Sequence, residues 1–362
     1  MKFVSVIAHR IKVPLRRAFT TAVRSAVELE TVIVELRDDA GRSGWGEAPI
    51  SVVTKTTTDA VVASVHGPLW SLIVAADDVD HALALVEQSR EPTVARAAVD
   101  CALHDLAAQQ AGIPLAEYLN DRLQGSASAP TAVLTDMTLS IASPEDLAAT
   151  ALLHVSEGFN CLKVKLNAAG DPLAAMVAVR AAVGVDPILR VDANQAFTPE
   201  QAIAFIRELE RADLGVEFVE QPVAAADWAG LAKVSAAVDL PIMADESVWN
   251  CADLELLVKH RGASLVNIKL AKTGGLRHAR KLANRAAEAG LGVVVGCMLE
   301  SSVGIAAAAS FASTLPAMAQ DLDGGLWLAA SPVSGGAAYN GPEILLSQAP
   351  GLGITGFASA SS

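Results

Sequence analysis

Lys163, Lys165, Asp192, Glu220, Asp245 and Lys269 bring amines and carboxylates together in a series suited to metal binding and proton transfer. Each closes, or nearly closes, a short apolar run: Cys161 to Leu166, Ile188 to Asp192, Val216 to Glu220, Pro241 to Asp245 and Leu265 to Lys269. One charged residue at such an end could be a solvated edge or a helix cap, and capping of the following helix is the alternative reading of Asp245 taken alone. A series ordered lysine, acid, acid, acid, lysine reads as one site. Three carboxylates on neighbouring strands make an all-oxygen nest that suits a hard divalent cation, Mg²⁺ first, one per subunit. Lysines on both sides of it suit proton transfer at a carbon beside a carboxylate. That carbon acid is weak, and its enediolate needs a Lewis acid to carry the charge. A free lysine, with pKa near ~10.4, is too basic to act as a base at neutral pH. A nearby cation and burial lower it, and Lys163 and the metal are both placed to do this to Lys165. One lysine on each face predicts removal on one side and return on the other, a 1,1-proton transfer with inversion.

Lys163 and Lys165 alternate, so they point to one side of their strand. Two inward lysines need partners, and an ion pair with a structural carboxylate is the other reading of one of them. Glu246 reads as support beside Asp245 rather than as a ligand. Asn194, two residues past Asp192, either supports the site or shapes its loop. The seven histidines are scattered and none ends a strand, which disfavours histidine-based chemistry.

The elements that must position these residues repeat along the chain. After Thr131, strand-like runs alternate with helix-like segments such as Pro144 to Glu157, Pro199 to Arg211 and Leu276 to Ala289. The first run is Ala132 to Ser140. Later ones are Val293 to Cys297 and a weaker Met318 to Asp321. Strand starts recur every ~25–30 residues, one βα unit, and about seven or eight such units predict a barrel with all strand ends on one face. An open doubly wound sheet is the alternative, weakened by the lack of a Gly-rich loop after the first strand. Upstream, Lys2 to Lys12, Glu30 to Arg37 and Ser43 to Ala48 predict a small antiparallel sheet. A helix opened by Pro92 and closed at Gly112-Ile113-Pro114 follows. The Ser/Ala/Gly/Pro stretch Gly125 to Pro130 marks a boundary: an N-terminal α+β unit over 1–128, a barrel over 129–325, and a C-terminal segment over 326–362.

Composition narrows the function classes. The chain has 362 residues, 52% of them apolar and 4% aromatic, and a net charge of −13, so it is globular without the basic stripe of a nucleic-acid binder. The N-terminus lacks the apolar core of a signal peptide. Ser301 to Ala319, interrupted by serines and Pro316, predicts a packed helix rather than a membrane span. Cys101, Cys161, Cys251 and Cys297 have no metal-type spacing and read as buried, reduced thiols. The expectation is a cytoplasmic protein with neither nucleic-acid nor membrane partners.

These residues, with Gly44-Trp45-Gly46-Glu47-Ala48-Pro49, resemble the enolase superfamily in its muconate-lactonizing-enzyme branch over nearly the whole chain. The resemblance implies a modified TIM barrel, (β/α)7β, under an N-terminal α+β capping domain, with the C-terminal residues packing back on the cap. It implies an isomerase with Lys165 and Lys269 as acid/base pair, Lys163 beside them, and Asp192, Glu220 and Asp245 on Mg²⁺. The branch includes muconate cycloisomerisation, o-succinylbenzoate synthesis, N-acylamino acid racemisation and dipeptide epimerisation. Asp321-Leu322-Asp323-Gly324, ending the eighth strand, resembles the feature with which dipeptide epimerases hold a free ammonium. Two carboxylates there would repel an N-succinyl group. Gly296-Cys297-Met298-Leu299-Glu300-Ser301 resembles the same enzymes, with Met298 beside the substrate, and Thr138 matches a pocket position. Phe19-Thr20-Thr21-Ala22-Val23-Arg24 resembles the cap loop of L-Ala-D/L-Glu epimerases, where Arg24 would meet the glutamate side chain. The expectation is therefore a dipeptide epimerase acting on L-Ala-D/L-Glu or related dipeptides. N-acylamino acid racemisation or o-succinylbenzoate synthesis is the second reading and a non-catalytic binding protein the third. Ser51, Val52 and Val53 begin a second cap loop without a charged recognition pattern. The resemblance also implies a homo-oligomer and a role in recycling cell-wall peptides.

Overall fold

The computed structural model describes residues 1–22, 24–124 and 129–359. Three antiparallel strands come first: β1 (Phe3–Thr20), β2 (Ser25–Asp38) and β3 (Ser43–Pro49), in that order across the sheet. β1 runs longer than its sequence pattern predicts, because a register shift between Pro14 and Phe19 lets pairing with β2 resume. Helices follow: α1 (Thr58–Ser64), α2 (Trp70–Val74), α3 (Val79–Gln88), α4 (Thr93–Ala111) and α5 (Leu115–Gln124). α4 starts after Pro92 and stops at Gly112, whose φ of 73° suits a residue without Cβ. β3 lies directly on α4. A Cβ at Gly46 would sit 1.8 Å from the Ala98 carbonyl oxygen, and one at Gly44 2.2 Å from that of Ala102. The boundary expected between Gly125 and Pro130 falls largely outside the described residues.

The expected first barrel strand is divided. β4 (Ala132–Leu134) pairs antiparallel with a C-terminal strand, and β5 (Met137–Leu139) enters the barrel. Alternation alone cannot show that break, which falls at Thr135 and Asp136. From β5 the parallel sheet runs in chain order through β6 (Cys161–Lys165), β7 (Ile188–Asp192), β8 (Val216–Glu220), β9 (Ile242–Ala244), β10 (Leu265–Lys269) and β11 (Gly292–Gly296). The eighth position is taken by Gln320 and Asp321 alone. Gln320 bridges Thr135 and Asp321 bridges Gly296, so both neighbours are reached and the barrel closes. The architecture is a (β/α)7β barrel with a separate α+β cap.

The first three connecting helices of the barrel are launched by one repeated device. Ser143, Asp171 and Thr198 accept backbone N–H bonds as N-caps, each followed by proline at 144, 172 or 199. An N-cap satisfies an orphan donor, and proline's missing N–H costs nothing there. Along β6, Leu162 and Val164 join the apolar core while Lys163 and Lys165 line the inner cleft. Burying each aliphatic side chain contributes ~1.5–3 kcal/mol, which fixes the register that turns the lysines inward. Below the cleft, Phe218, Met243 and Val294 form an apolar plug. Arg190 lies 4.8 Å from the Phe218 ring centroid and pairs with Asp136 at 2.7 Å.

The C-terminal residues return to the cap. Leu115 N–H donates to the Gly351 carbonyl, Leu352 N–H donates to Asp105, and the Phe357 ring meets His9 and Trp45. Ser302–Ala312 is a buried helix, and no described helix is long and apolar enough to cross a membrane. All four cysteines are free. Cys251 is half-buried rather than buried, because it opens a surface helix.

Candidate active site

The lysines and acids of β6 to β10 meet inside the barrel mouth. Lys165 Nζ donates to Asp192 at 2.6 Å and to the Asn194 side-chain oxygen at 3.1 Å. Lys269 Nζ, on β10 and separated from β6 by β7, β8 and β9, donates to Asp245 at 2.8 Å. Lys163 Nζ lies 2.6 Å from Asp321, 3.4 Å from Glu220 and 3.7 Å from Asp192. Asn194 N–H donates to Asp192 and its side-chain amide donates to Glu246 at 3.2 Å. Asn194 therefore ties two acids of the site together as well as shaping its loop. Asn194, Gln195 and Gln221 hold φ of 40°, 69° and 36°, a left-handed conformation unusual away from glycine. Such strain persists where surrounding contacts over-determine it.

Burial and charge set the electrostatics. Burial and then Asp192 push the Glu220 carboxyl up to about 8. Burial also opposes ionisation of Asp245, yet Lys269 and then Lys272 hold it well below the usual carboxylate range. Burial would lower the Lys163 and Lys269 ammoniums, but the surrounding acids, led by Asp321 for Lys163 and Asp245 for Lys269, raise both. Glu246 is pushed up to about 7 by burial and then by Asp245, and its Oε2 has no partner among the described residues.

The donor set accommodates a divalent cation. Asp136, Asp192, Glu220, Asp245, Glu246, Asp321 and Asp323 are buried together with Lys163, Lys165, Arg190, Lys269 and Lys272. Burial and neighbouring acids push Glu220 up to about 8 and Glu246 up to about 7, and a hard divalent ion among these oxygens would favour their ionised forms. Ammonium groups stand between the three expected ligands. The acids whose oxygens converge within 4.8 Å are instead Asp136, Asp321 and Asp323. Asp136 is turned to Arg190 beneath the cleft, whereas Asp245 opens onto it between the lysine-bearing strands. Asp192, Glu220 and Asp245, each bonded to a lysine, could hold the ion in place of those ammonium groups.

The opposite wall comes from β5, β11 and the residues after the eighth position. Asp323 accepts the Thr138 backbone N–H at 2.8 Å and the Trp327 indole N–H at 3.1 Å. Asp321 accepts from Lys163 and from the Asn267 amide at 3.1 Å. Thr138, Met298, Asp321 and Asp323 line the cleft, as do Phe19, Arg24 and Val53 from the cap. Asp192 and Glu220 lie deeper, reached through the lysines. Arg24 is half-buried, has no carboxylate partner among the described residues, and is held below its ordinary pKa by burial.

Three positioning side chains escape the sequence pattern. Lys272 is fully buried and donates to the Asp245 carbonyl at 2.5 Å, its carboxylate at 2.6 Å, and the Asn267 carbonyl at 2.9 Å. Its one signal is a second lysine three residues after Lys269, on the helical turn Leu270–Thr273. Asn267 donates to Glu220 at 2.8 Å as well as to Asp321. Gln221 accepts the Asp245 and Ser247 N–H groups, fixing the loop after β9.

Known proteins resemble this chain over nearly its whole length. Residues 3–120 match the mandelate racemase / muconate lactonizing enzyme N-terminal domain, and residues 146–357 match the enolase C-terminal domain-like family. The L-Ala-D/L-Glu epimerase of Bacillus subtilis (strain 168) is 39% identical over 99% of this chain and 98% of its own. The structure of that epimerase from Bacillus subtilis in a substrate-liganded complex superposes with a TM-score of 0.94 at 38% identity, covering 99% of this chain and 100% of that one. The dipeptide epimerase of Enterococcus faecalis V583, complexed with Mg and L-Leu-L-Tyr, gives a TM-score of 0.91 at 34% identity, covering 98% of this chain and 100% of that one. The chain belongs to the mandelate racemase / muconate lactonizing enzyme family of the enolase superfamily.

Proposed function

We propose that this protein is a magnesium-dependent dipeptide epimerase that inverts the α-carbon of the C-terminal residue, with L-Ala-D/L-Glu as its preferred class. The observation that carries the reading is a pair of lysines, Lys165 and Lys269, reaching one cleft from strands separated by three others, with buried acids between them. Asp192, Glu220 and Asp245 would hold the cation. When bound, the cation supplies Lewis-acid stabilisation of the charge that develops on the substrate carboxylate.

Lys165 Nζ takes or delivers the α-proton on one face and Lys269 Nζ does so on the other. Each must be neutral to act as base, and metal charge on the acids that now raise Lys269 would lower its pKa. Lys163 stays charged beside Asp321 and adds positive potential next to Lys165. Asp321 and Asp323 would receive the dipeptide's free ammonium, and Asp323 is pre-oriented by Thr138 and Trp327. Arg24 would meet a glutamate side chain, and an incoming carboxylate would offset its desolvation. The cleft is narrow, enclosing about 60 Å³ beneath the cap residues Phe19, Thr21 and Arg24. The same proposal takes residues 1–128 as cap, 129–325 as catalytic barrel and 326–362 as the segment that returns to the cap.

Parallel assays of L-Ala-L-Glu and an N-succinyl amino acid with Mg²⁺ test the reading. Turnover of the dipeptide alone is expected. Turnover of the N-succinyl compound alone would replace it with N-acylamino acid racemisation.

A further inference from the structure

The motif Gly44-Trp45-Gly46-Glu47 has no task in the chemistry above. Glu47 belongs to cap strand β3 and is 5% exposed, yet its hydrogen bonds reach the barrel. Its two oxygens accept the Ser301 N–H at 3.0 Å each. Its Oε2 also accepts the Ser301 hydroxyl at 2.6 Å and the Gly304 N–H at 2.9 Å. Ser301 is the N-cap of the 11-residue helix Ser302–Ala312. A carboxylate from the cap thus satisfies orphan donors at the positive end of a barrel helix.

The loop just before that helix carries the cleft wall. Cys297, Met298 and Leu299 line the cleft, and Met298 also packs in the cap's own apolar cluster. Glu300 Oε1 accepts the Met298 N–H at 2.8 Å and folds this loop back on itself. Both acids converge on Gly304: a Cβ there would stand 2.2 Å from Glu300 Oε2 and 3.1 Å from Glu47 Oε2. Among the described residues neither acid is ion-paired, and two adjacent carboxylates without a cation favour sharing a proton. Burial and then Glu47 push Glu300 up to about 8, in keeping with Glu300 carrying that proton.

We propose that Glu47 is a positioning residue that reaches from the cap to pin the helix behind the Met298 loop, keeping the substrate-facing wall in register with the cap. This rests on the proposed epimerase reading. The test compares wild type with Glu47→Gln, Glu47→Asp and Glu300→Gln, by dipeptide kinetics and by amide hydrogen exchange over residues 297–312. For both Glu47 variants we expect KM to rise ~10-fold with a smaller change in kcat, since charge-assisted bonds to the loop are lost before the lysines are touched. Exchange over 297–304 should rise in the same variants. Glu300→Gln should stay within about twofold of wild type, because an amide can donate as a protonated acid does. Lowered thermal stability with wild-type KM and unchanged exchange over 297–304 would overturn the proposal and leave Glu47 as a helix cap only. Should Glu47→Gln fail to fold, Glu47→Asp, which keeps the charge but shortens the reach, decides by the same two readouts. A wild type that turns over no dipeptide would contradict the epimerase reading, while the exchange measurement would still decide whether Glu47 pins the loop.

Discussion

Lys165 and Lys269 reach one cleft from opposite sides, so replacing either should separate the two halves of the reaction. Lys165→Ala and Lys269→Ala are each expected to lose epimerisation by at least ~10³-fold while keeping the native fold, as circular dichroism would show. Each should still exchange the α-proton of one diastereomer with solvent, as NMR in D₂O would show. Full epimerisation by both variants would refute the two-base assignment. A second prediction concerns Glu300, whose folded carboxyl titrates at about 8 against an ordinary 4.5. Its proton is bound more tightly in the folded state, so its contribution to stability is full below pH 4.5 and is lost as pH rises towards 8. The melting temperature of wild type should therefore fall relative to Glu300→Gln across pH 5 to 8, and parallel curves would contradict the shared proton. The chemical residues are legible in the sequence because acids and lysines close successive apolar runs. Lys272 is not, because nothing in its spacing shows that a helical turn carries its ammonium back beneath Asp245.

Elements set what the cleft accepts. Arg24 ends the cap loop that closes the cleft, and Arg24→Ala should cut kcat/KM for L-Ala-L-Glu by ~10-fold or more while leaving a neutral dipeptide nearly unchanged. Equal losses on both substrates would mean that Arg24 shapes the loop and does not read the side chain. Strand positions are legible from β6 to β11, where each run matches its pattern to within one residue at either end. The first and last barrel strands are not. Backbone pairing with the C-terminal strand Glu343–Leu345 claims Ala132 to Leu134 for another sheet, and two residues suffice to close the barrel at Gln320 and Asp321. Both outcomes depend on contacts between residues far apart in the chain, which local periodicity does not encode.

At the scale of the molecule, cap and barrel share one site, and the site gathers buried carboxyl groups suited to a divalent cation. Mg²⁺ should therefore raise the melting temperature in a saturable, concentration-dependent way, by about 2.7 kcal/mol of stability at a hundredfold excess over its Kd. Asp245→Asn should weaken that response, and an equal response in the variant would move the ion elsewhere, with Asp136, Asp321 and Asp323 next in line. The barrel is legible in the chain itself, because each βα unit repeats the same pattern of apolar run and amphipathic helix. The way the cap is fastened is not legible there, since Glu47 and Ser301 lie far apart in sequence and meet only through the fold. Two lysines that move one α-proton across a carboxylate-bearing carbon leave their trace in proton NMR of L-Ala-L-Glu with the purified protein and Mg²⁺ in D₂O. Loss of the glutamate α-proton signal together with growth of the L,D diastereomer is expected. Persistence of that signal, with no exchange in any other dipeptide, would contradict the two-lysine transfer.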